Sequence, residues 1–238
     1  PLQVHLVINF SAYIGTDETQ CRRVNVNGMK NILAYCAKTN VKTLIHSSSA
    51  AVYGKPQFLP ITEQHPLQPN TNYGKSKLEA EKLIKQKATA HDFRAVLFRY
   101  ASPFGFGQKI VSVLPLFIQK AIANETLEYF GDGSRTQEFI YIKDIVDANI
   151  KAFEKAAPGA YNACTGRKTD FNGIVASLNA ALGVSLQPEY IKNPYAFYQN
   201  ETLGDPVKAQ KAFGFRSQWT VERAVPYYLG ARKAPVGV

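Results

Sequence analysis

Tyr73 and Lys77 are the residues whose types and spacing most directly suggest chemistry. Positions i and i+4 share one face of a helix, so the phenol and the ammonium can converge on one pocket. A nearby cation favours the phenolate and lowers the tyrosine pKa from about 10 toward neutrality, where the group serves as an acid or a base. A tyrosine and a lysine four residues apart are, without other motifs, more often a surface lysine beside a half-buried ring. The prediction of an acid–base site therefore depends on the surrounding residues.

A cluster of small hydroxyl side chains precedes that pair, in the segment His46-Ser-Ser-Ser-Ala-Ala-Val-Tyr-Gly54. The cluster begins within residues 43–47, an apolar run that predicts a strand buried in a sheet. Open α/β sheets bind ligands at the carboxyl ends of their strands. Serines at a strand end also form turns, but the triple serine, the VYG sequence and the tyrosine–lysine pair together form a highly specific combination.

The elements that carry these residues alternate between strand and helix patterns, which predicts a parallel sheet with helices on both faces. Apolar runs predict strands at residues 4–9, 43–47, 94–99, 138–142 and 159–164, and the continuous run at 4–9 is typical of a strand buried on both faces. Periodic apolar positions predict helices at residues 19–38, with an interruption at Gly28, and at 73–88, 112–123, 144–155, 171–182, 206–213 and 220–229. The part beyond about residue 105 is interpreted as a smaller lobe beside the sheet.

Composition narrows the class of protein. The 238 residues carry a net charge of +10, but they contain no Lys/Arg run and no nucleic-acid reading motif, so we expect no nucleic-acid partner. No run approaches the roughly 18 apolar residues that a membrane span needs, so we expect no membrane association. Three separated cysteines without a CxxC pair argue against a disulfide framework and against a zinc site. We therefore expect a cytoplasmic protein without a metal.

Further motifs accompany the serine cluster along nearly the whole chain. They are Phe10-Ser-Ala12, Asn25 within VNVNG, Arg99-Tyr100, Gly131-Asp-Gly133 with Phe139-Ile-Tyr-Ile-Lys-Asp144, Tyr161-Asn162 with Thr165-Gly166, and Gly204-Asp205-Pro-Val-Lys208. Together they resemble the extended short-chain dehydrogenase/reductase family, most closely its UDP-galactose 4-epimerase-like branch. The resemblance implies an α/β fold: a Rossmann-like doubly wound parallel sheet without its N-terminal strands, and a smaller α/β C-terminal substrate lobe. Residues 1–105 would form a partial NAD-binding domain with the catalytic residues, and residues 106–238 a substrate-binding lobe interleaved with it.

The resemblance also implies a function, an NAD-dependent epimerase or dehydratase acting on a nucleoside diphosphate sugar. Tyr73 would move the proton of a sugar hydroxyl, Lys77 would hydrogen-bond the nicotinamide ribose and lower the tyrosine pKa, and Ser49 would hydrogen-bond the reacting oxygen. The implied cofactor-binding residues are Phe10, Ser11, Ala12, Asn25, Ser47, Ser48, Tyr73, Lys77, Tyr100 and Pro103. The implied substrate-binding residues are Ala50, Ala51, Ser102, Arg135 and Gln137. A homodimer through the helices at 19–38 and 73–88 is implied as well.

One family feature is absent from the sequence, the GxxGxxG turn that seats a pyrophosphate on a helix N-terminus. The chain begins at what the resemblance identifies as the fourth strand, so residues 4–9 would form an exposed apolar edge. Three explanations stay open: the given sequence omits residues of the whole protein, self-association covers the edge, or a separate chain supplies the other half. The alternative function is a non-catalytic binding or assembly protein, and NAD binding depends on whether the glycine turn exists.

The substrate side also differs from the epimerase-like branch. Gln137 stands where that branch usually has an arginine, with Arg135 as the candidate substitute, and Ser102 stands where it has an asparagine. The arginine expected near residue 195 for the substrate phosphates is not evident at Asn193-Pro-Tyr195. A nucleotide sugar other than a UDP-hexose therefore stays open, because Tyr198-Gln199 with Thr202 and Gly204-Asp205 faintly resembles the ending of heptose-nucleotide epimerases. Epimerase ranks above dehydratase because Ala50-Ala51 offers no Asp-Glu pair.

Overall fold

The computed structural model describes residues 4–90, 93–108, 112–192 and 202–233. Its strands in chain order are β1 Leu6–Asn9, β2 Thr43–Ser49, β3 Arg94–Tyr100, β4 Ser102–Phe104, β5 Leu127–Phe130, β6 Thr136–Gln137, β7 Phe139–Tyr141, β8 Gly159–Ala163, β9 Thr169–Asp170 and β10 Pro188–Ile191. Its α-helices are α1 Glu18–Gln20, α2 Gly28–Thr39, α3 Asn72–Ala90, α4 Val113–Ile122, α5 Ile142–Lys155, α6 Phe171–Leu182, α7 Val207–Phe213 and α8 Val221–Lys233. A π-helical turn at Cys21–Asn27 joins α1 to α2, and a 3-10 turn at Ala50–Val52 follows β2.

The main sheet contains β1, β2, β3 and β8 in that order, and every neighbouring pair is parallel. The register places Ile8 beside Ile45 and Ser49 beside Tyr100. Because β8 pairs with β3, the sheet includes chain from well beyond residue 105. Helices cover both faces, so the doubly wound α/β fold expected from the sequence is confirmed.

Each face of the main sheet has its own apolar core, because successive strand residues point to opposite faces. On one face, α2 and α3 pack on the strands, and Ile84 of α3 joins Leu44 of β2 in a single cluster. On the other face, α5 and α7 pack around Phe98 of β3, with Ile145 and Phe213 as their contributions. These two layers hold the strand ends in place from both sides.

The smaller lobe has a third core, which lies among α4, α6 and α8. Phe117, Phe171, Leu178 and Val225 are buried in it. Three two-stranded pairs accompany these helices: β4 with β7, β5 with β10, and β6 with β9. The sequence predicted β7 but not β4, β5, β6, β9 or β10. Each of those strands has only two to four residues, too few for a periodic pattern to indicate a strand.

Strand β1 lies at one edge of the main sheet within the described part of the chain. Ile8 is 42% exposed in the middle of an apolar run, so the prediction that residues 4–9 form a strand buried on both faces is wrong. The exposed apolar edge that we expected for the same residues is present. On the face that α5 covers, the exposed Val146, Ile150 and Phe153 of that helix add further apolar surface. We call these residues, with Ile8, the apolar flank.

The helices differ from the prediction at Gly28. That residue has a helical φ of −57°, and the helix continues through it. The irregularity is instead the π-helical turn just before it, at residues 21–27. Of the helices that the structure describes, none is both long and apolar enough to cross a membrane.

Candidate active site

A cavity of about 400 Å³ opens at the carboxyl ends of β1, β2 and β3. Its volume lies in the range of small-molecule sites. The residues predicted from the sequence that line it are Phe10, Ala12, Ser47, Ser48, Ser49, Ala50, Ala51, Tyr73, Tyr100, Ser102, Pro103, Arg135 and Gln137. The predicted residues Ser11, Asn25 and Lys77 are not among its lining residues. The structure therefore brings most of the predicted set to one place, with three members in supporting positions.

Residues 47–51 and Tyr73 form one side of this cavity, which we call the strand-end wall. Ser49 ends β2, and its Oγ accepts a hydrogen bond of 3.1 Å from the Ala51 N–H, which begins the turn after the strand. The phenol of Tyr73, in the first turn of α3, lies beside the Ser49 side chain, which acts to lower the pKa of Tyr73. The helix approaches this closely because position 74 is a glycine: a Cβ at Gly74 would lie 2.5 Å from the Ala51 carbonyl oxygen. The strand end and the helix start are thus in direct contact at Ser49 and Tyr73.

The ammonium of Lys77 lies behind this wall. The side chain is 1% exposed, and its Nζ donates to the Ser47 carbonyl oxygen at 2.6 Å and lies 5.8 Å from the Tyr73 ring centroid. Burial lowers the pKa of Lys77 to about 8, against the opposing charge of Glu81. Burial also raises the pKa of Tyr73, and the Ser49 side chain opposes this only in part. The lowered tyrosine pKa predicted from the lysine spacing is therefore wrong, because the cost of burying a phenolate outweighs the attraction.

A buried amide–imidazole pair lies beside Lys77. Asn9 Oδ1 accepts hydrogen bonds from the Ser11 N–H at 3.0 Å and from Ser11 Oγ at 2.6 Å, so Asn9 Nδ2 is left to donate to His46 Nδ1 at 3.2 Å. Burial, and after it the charge of Lys77, lowers the pKa of His46 to about 3, so the imidazole is neutral at pH 7. Ser11, predicted as a cofactor-binding residue, thus directs its hydroxyl toward Asn9.

Two other predicted cofactor-binding residues hold neighbouring segments. Asn25, in the π-helical turn, accepts from the Tyr13 N–H at 2.8 Å and donates to the Tyr13 carbonyl at 3.0 Å and to Ser76 Oγ at 2.8 Å. The Tyr100 hydroxyl accepts from Asn149 Nδ2 at 2.7 Å inside the core. Both polar groups therefore have partners within the protein, and Tyr100 also lines the cavity.

A carboxylate that the sequence analysis missed lies behind the strand-end wall. Glu81 is fully buried, and its Oε1 accepts from Ser48 Oγ at 2.6 Å. Its two oxygens accept from Arg99 Nε and Nη2 at 3.0 and 2.7 Å. Burial acts to raise the pKa of Glu81, but the hydrogen bonds and charge of Arg99 hold it below its ordinary value. A signal was present, because Glu81 follows Tyr73 and Lys77 at the same four-residue interval.

The lobe wall of the cavity consists of Ser102, Arg135, Gln137 and Glu138. Gln137 Nε2 donates to Ser102 Oγ at 2.5 Å, so the two positions that differ from the epimerase-like branch bind each other. The Arg135 guanidinium lies 5.7 Å from the centroid of the Phe171 ring. The polar pair at the centre of this wall is therefore uncharged, with one arginine beside it.

Glu138 is a second carboxylate that the sequence analysis missed. It is buried, and its oxygens accept from the N–H groups of Thr165, Gly166 and Gly204 at 2.6 to 2.7 Å. Burial raises its pKa, and these bonds oppose the increase. The carboxylate thereby joins three segments that are far apart in sequence. The positions considered at 193–195 and 198–199 lie outside the described residues.

The described ranges contain no group of three or more His, Cys, Asp or Glu side chains able to hold a metal ion. The polar groups at and behind the strand-end wall are a phenol, hydroxyls, an ammonium and a carboxylate. Such groups transfer and orient protons, which is the chemistry of an acid–base site.

Comparison of the sequence with known proteins identifies relatives. Residues 2–164 match the sequence model of the NAD dependent epimerase/dehydratase family. A putative UDP-glucose 4-epimerase of Methanocaldococcus jannaschii is 32% identical over 173 residues, which are 71% of this chain and 56% of that protein. UDP-arabinose 4-epimerase 1 of Arabidopsis thaliana is 29% identical over 216 residues, which are 79% of this chain and 50% of that protein. The chain thus spans about half the length of these curated relatives.

Solved structures share the fold. The crystal structure of UDP-glucose 4-epimerase from Thermotoga maritima with UDP-glucose matches with a TM-score of 0.90 at 24% identity, over 96% of this chain and 77% of that chain. UDP-glucuronic acid 4-epimerase from Bacillus cereus in complex with NAD matches with a TM-score of 0.85 at 21% identity, over 97% of this chain and 76% of that chain. At these identities the likeness is one of fold.

Proposed function

The chain belongs to the NAD dependent epimerase/dehydratase family, and from this premise we propose that it is an NAD-dependent epimerase of a nucleoside diphosphate sugar. The observation that carries the proposal is the strand-end wall, where Ser49 and Tyr73 are in contact and Lys77 lies directly behind them. A phenol between a hydroxyl and a buried ammonium is suited to proton transfer at a hydroxyl-bearing carbon.

The three residues would divide the proton chemistry among them. Tyr73 would take the proton of a sugar hydroxyl as that carbon is oxidised and return it after the sugar is reduced from its other face. Ser49 would hydrogen-bond the same oxygen and hold it against the phenol. Lys77 would stabilise the phenolate that forms, because a buried cation favours a nearby anion. Bound NAD would supply the acceptance and return of the hydride.

The described residues fit the nicotinamide end of NAD. Phe10, Ala12 and Pro103 give the cavity an apolar side at the carboxyl ends of the strands, and Phe10 is half exposed there. Lys77 is the residue proposed to hydrogen-bond the nicotinamide ribose. The sequence has no glycine-rich turn for the pyrophosphate, so the proposal for this chain covers that end of NAD alone.

The substrate class follows from both walls. Ala50 and Ala51 put no carboxylate beside Ser49, which supports epimerisation over dehydration. The relatives are named for UDP-glucose and UDP-arabinose, so UDP-sugars are the first class to test. Because the Gln137–Ser102 pair is uncharged, Arg135 is the side chain that we propose for the diphosphate, which a guanidinium binds in a bidentate manner.

The proposal also assigns a separate binding role to each of two parts of the chain. Residues 1–105 would bind NAD and carry the catalytic residues, and residues 106–238 would bind the substrate. The return of β8 to the main sheet supports an interleaved arrangement. Association as a homodimer would use α2 and α3, which lie on the same face of the sheet.

The direct test is to incubate the chain with NAD and UDP-glucose, and separately with UDP-arabinose, and to separate the products by chromatography. We expect the matching C4 epimer to accumulate to an equilibrium ratio. A chain that binds NAD and yet converts none of a panel of nucleotide sugars would contradict the proposal.

A second candidate, a binding or assembly protein, is favoured by the apolar flank. Large exposed apolar patches mark interaction surfaces. Calorimetric titration with NAD separates the two candidates. Saturable binding well below millimolar concentration supports the enzyme, and no binding supports the assembly protein.

A further inference from the structure

Tyr73, Lys77 and Glu81 follow one another at four-residue intervals along α3 and form one row on a face of that helix. The row contacts the three serines at the end of β2. The contacts are the Ser47 carbonyl oxygen with Lys77 Nζ at 2.6 Å, the Ser48 hydroxyl with the Glu81 carboxylate at 2.6 Å, and the Ser49 hydroxyl with Tyr73. The proposed reaction uses the contacts of Tyr73 and Lys77 and leaves the contact between Ser48 and Glu81 without a role.

The Glu81 carboxylate is anchored from the opposite side. Arg99 of β3 donates two hydrogen bonds to it, and a third from Arg99 Nη1 reaches the Tyr53 hydroxyl at 3.0 Å. The Tyr53 hydroxyl in turn donates to Asn162 Oδ1 of β8 at 2.6 Å. The carboxylate therefore ties the end of β2 to two further strands. A buried pair of this kind holds one geometry, because displacing either partner leaves a charge uncompensated.

Ser48 lies between the two serines that contact the reaction centre, so its position along the strand governs theirs. The hydrogen bond from its hydroxyl to Glu81 holds the strand end against α3. A displacement of that strand end would change the separation between Ser49 and Tyr73. Misplacement of reacting groups by about 1 Å is enough to cost large factors in rate.

We propose that Ser48 and Glu81 are positioning residues of the reaction centre: their hydrogen bond sets the spacing between Ser49 and Tyr73, and the Glu81 charge keeps Lys77 an ammonium. The proposal rests on the proposed function of those three residues. It adds an explanation of what holds the three side chains at their observed positions.

The charges around the row support the second part of this proposal. The titratable groups that face it are His46 on β2, Arg99 on β3, Tyr53 after β2, Cys21 in the π-helical turn and Lys85 on α3. His46 is neutral, and Lys85 is largely exposed and 3.7 Å from Glu81. Among these described groups, the Glu81 carboxylate is the anion that acts to raise the pKa of the buried Lys77.

Ser48→Ala tests the positioning role, because it removes the hydroxyl bond and leaves Glu81 paired with Arg99. Ser217→Ala is a matched control: the Ser217 hydroxyl donates to the buried Asp144 at the same 2.6 Å, in a part of the chain that does not line the cavity. We expect Ser48→Ala to lower kcat about tenfold with little change in KM. Ser217→Ala should lower the melting temperature to a similar extent and keep kcat. Equal kcat in the two variants would overturn the proposal.

A readout without turnover separates this proposal from the proposed function. The Tyr73 phenol can be titrated by NMR of ring-labelled tyrosine and assigned through Tyr73→Phe. Because the Ser49 side chain acts to lower the pKa of Tyr73, Ser48→Ala should raise that pKa, and Ser217→Ala should not. A wild-type chain without turnover would reject the proposed function, and this titration would still decide the positioning role. An unchanged Tyr73 pKa in Ser48→Ala would reject it.

Glu81→Gln tests the charge. The carboxylate acts to raise the pKa of Lys77, so its removal should let the lysine lose its proton at a lower pH. The alkaline limb of kcat/KM should then move to lower pH in Glu81→Gln and stay in place in Ser48→Ala. An unmoved limb in a folded Glu81→Gln protein rejects the charge role. If that variant does not fold, the double variant Glu81→Gln with Arg99→Met removes both charges of the buried pair, and a Lys77 amine whose pKa, titrated by NMR, is unchanged there rejects the charge role.

Discussion

The two walls of the cavity are built in opposite ways. The strand-end wall comes from one strand end and the helix that follows it, with Ser49 and Tyr73 close in the chain. The lobe wall joins distant segments: Gln137 binds Ser102 across 35 residues, and Glu138 binds Gly204 across 66. Spacing within α3 therefore places Tyr73 and Lys77 on one face, and tertiary assembly determines the surface that we propose for the substrate.

The walls also differ in where their charges lie, because the lobe wall has Arg135 and the buried Glu138 beside an uncharged pair. Behind the strand-end wall, a buried ammonium and a buried carboxylate lie one helical turn apart, so its chemistry depends on protonation. The polar pair of the lobe wall is uncharged and hydrogen-bonded internally. We expect changes behind the first wall to act on rate and pH dependence, and changes in the second to act on affinity.

The larger expected effect is on the pH dependence of kcat/KM, which we attribute to Lys77 behind the strand-end wall. Burial lowers the pKa of Lys77 to about 8, so its ammonium is present below that pH and lost above it. Measured over a pH series, kcat/KM should fall about tenfold for each pH unit above about pH 8, as expected for the loss of one essential proton. Lys82→Ala, at an exposed position on the same helix, should leave the limb in place. A limb near the ordinary lysine pKa would show that Lys77 is not the group.

A smaller effect is expected at the lobe wall. Gln137→Ala removes the bond to Ser102 and frees that hydroxyl, so we expect KM for the nucleotide sugar to rise severalfold, roughly the value of one neutral hydrogen bond, with kcat nearly unchanged. Gln119→Ala, at an exposed position on α4, is the control. Steady-state kinetics measures both. A loss in kcat equal to that of a strand-end variant would remove the distinction between the walls.

The fold was predictable where one pattern repeats over many residues. The helix at 171–182 has the predicted bounds, and the strand at 94–99 extends by one residue. The short strands β6 and β9 were not predicted, because two residues carry no period and form only when Thr136 and Asp170 meet across the lobe. The exposure of β1 depends on whether a neighbouring strand covers its edge, so the composition of β1 alone does not predict it.

The site was predictable in its residue types and less so in its electrostatics. The spacing brought Tyr73 and Lys77 to one face of a helix, but the direction of the Tyr73 pKa shift was predicted wrongly. The four-residue spacing indicates that the charge of Lys77 lies near Tyr73. The burial of Tyr73 depends instead on how the whole helix layer packs on the sheet, which the spacing does not indicate. Glu81 and Glu138 were missed because their partners lie on other elements.

The most direct test of the account compares Tyr73→Phe with Tyr35→Phe in the same epimerisation assay. The first removes one hydroxyl from the strand-end wall, and the second removes one from an exposed tyrosine of α2. We expect Tyr73→Phe to lower kcat by roughly a hundredfold or more, the value of a positioned acid–base group, and Tyr35→Phe to keep the wild-type rate. A folded Tyr73→Phe protein that turns over at the wild-type rate would contradict the assignment of the reaction centre.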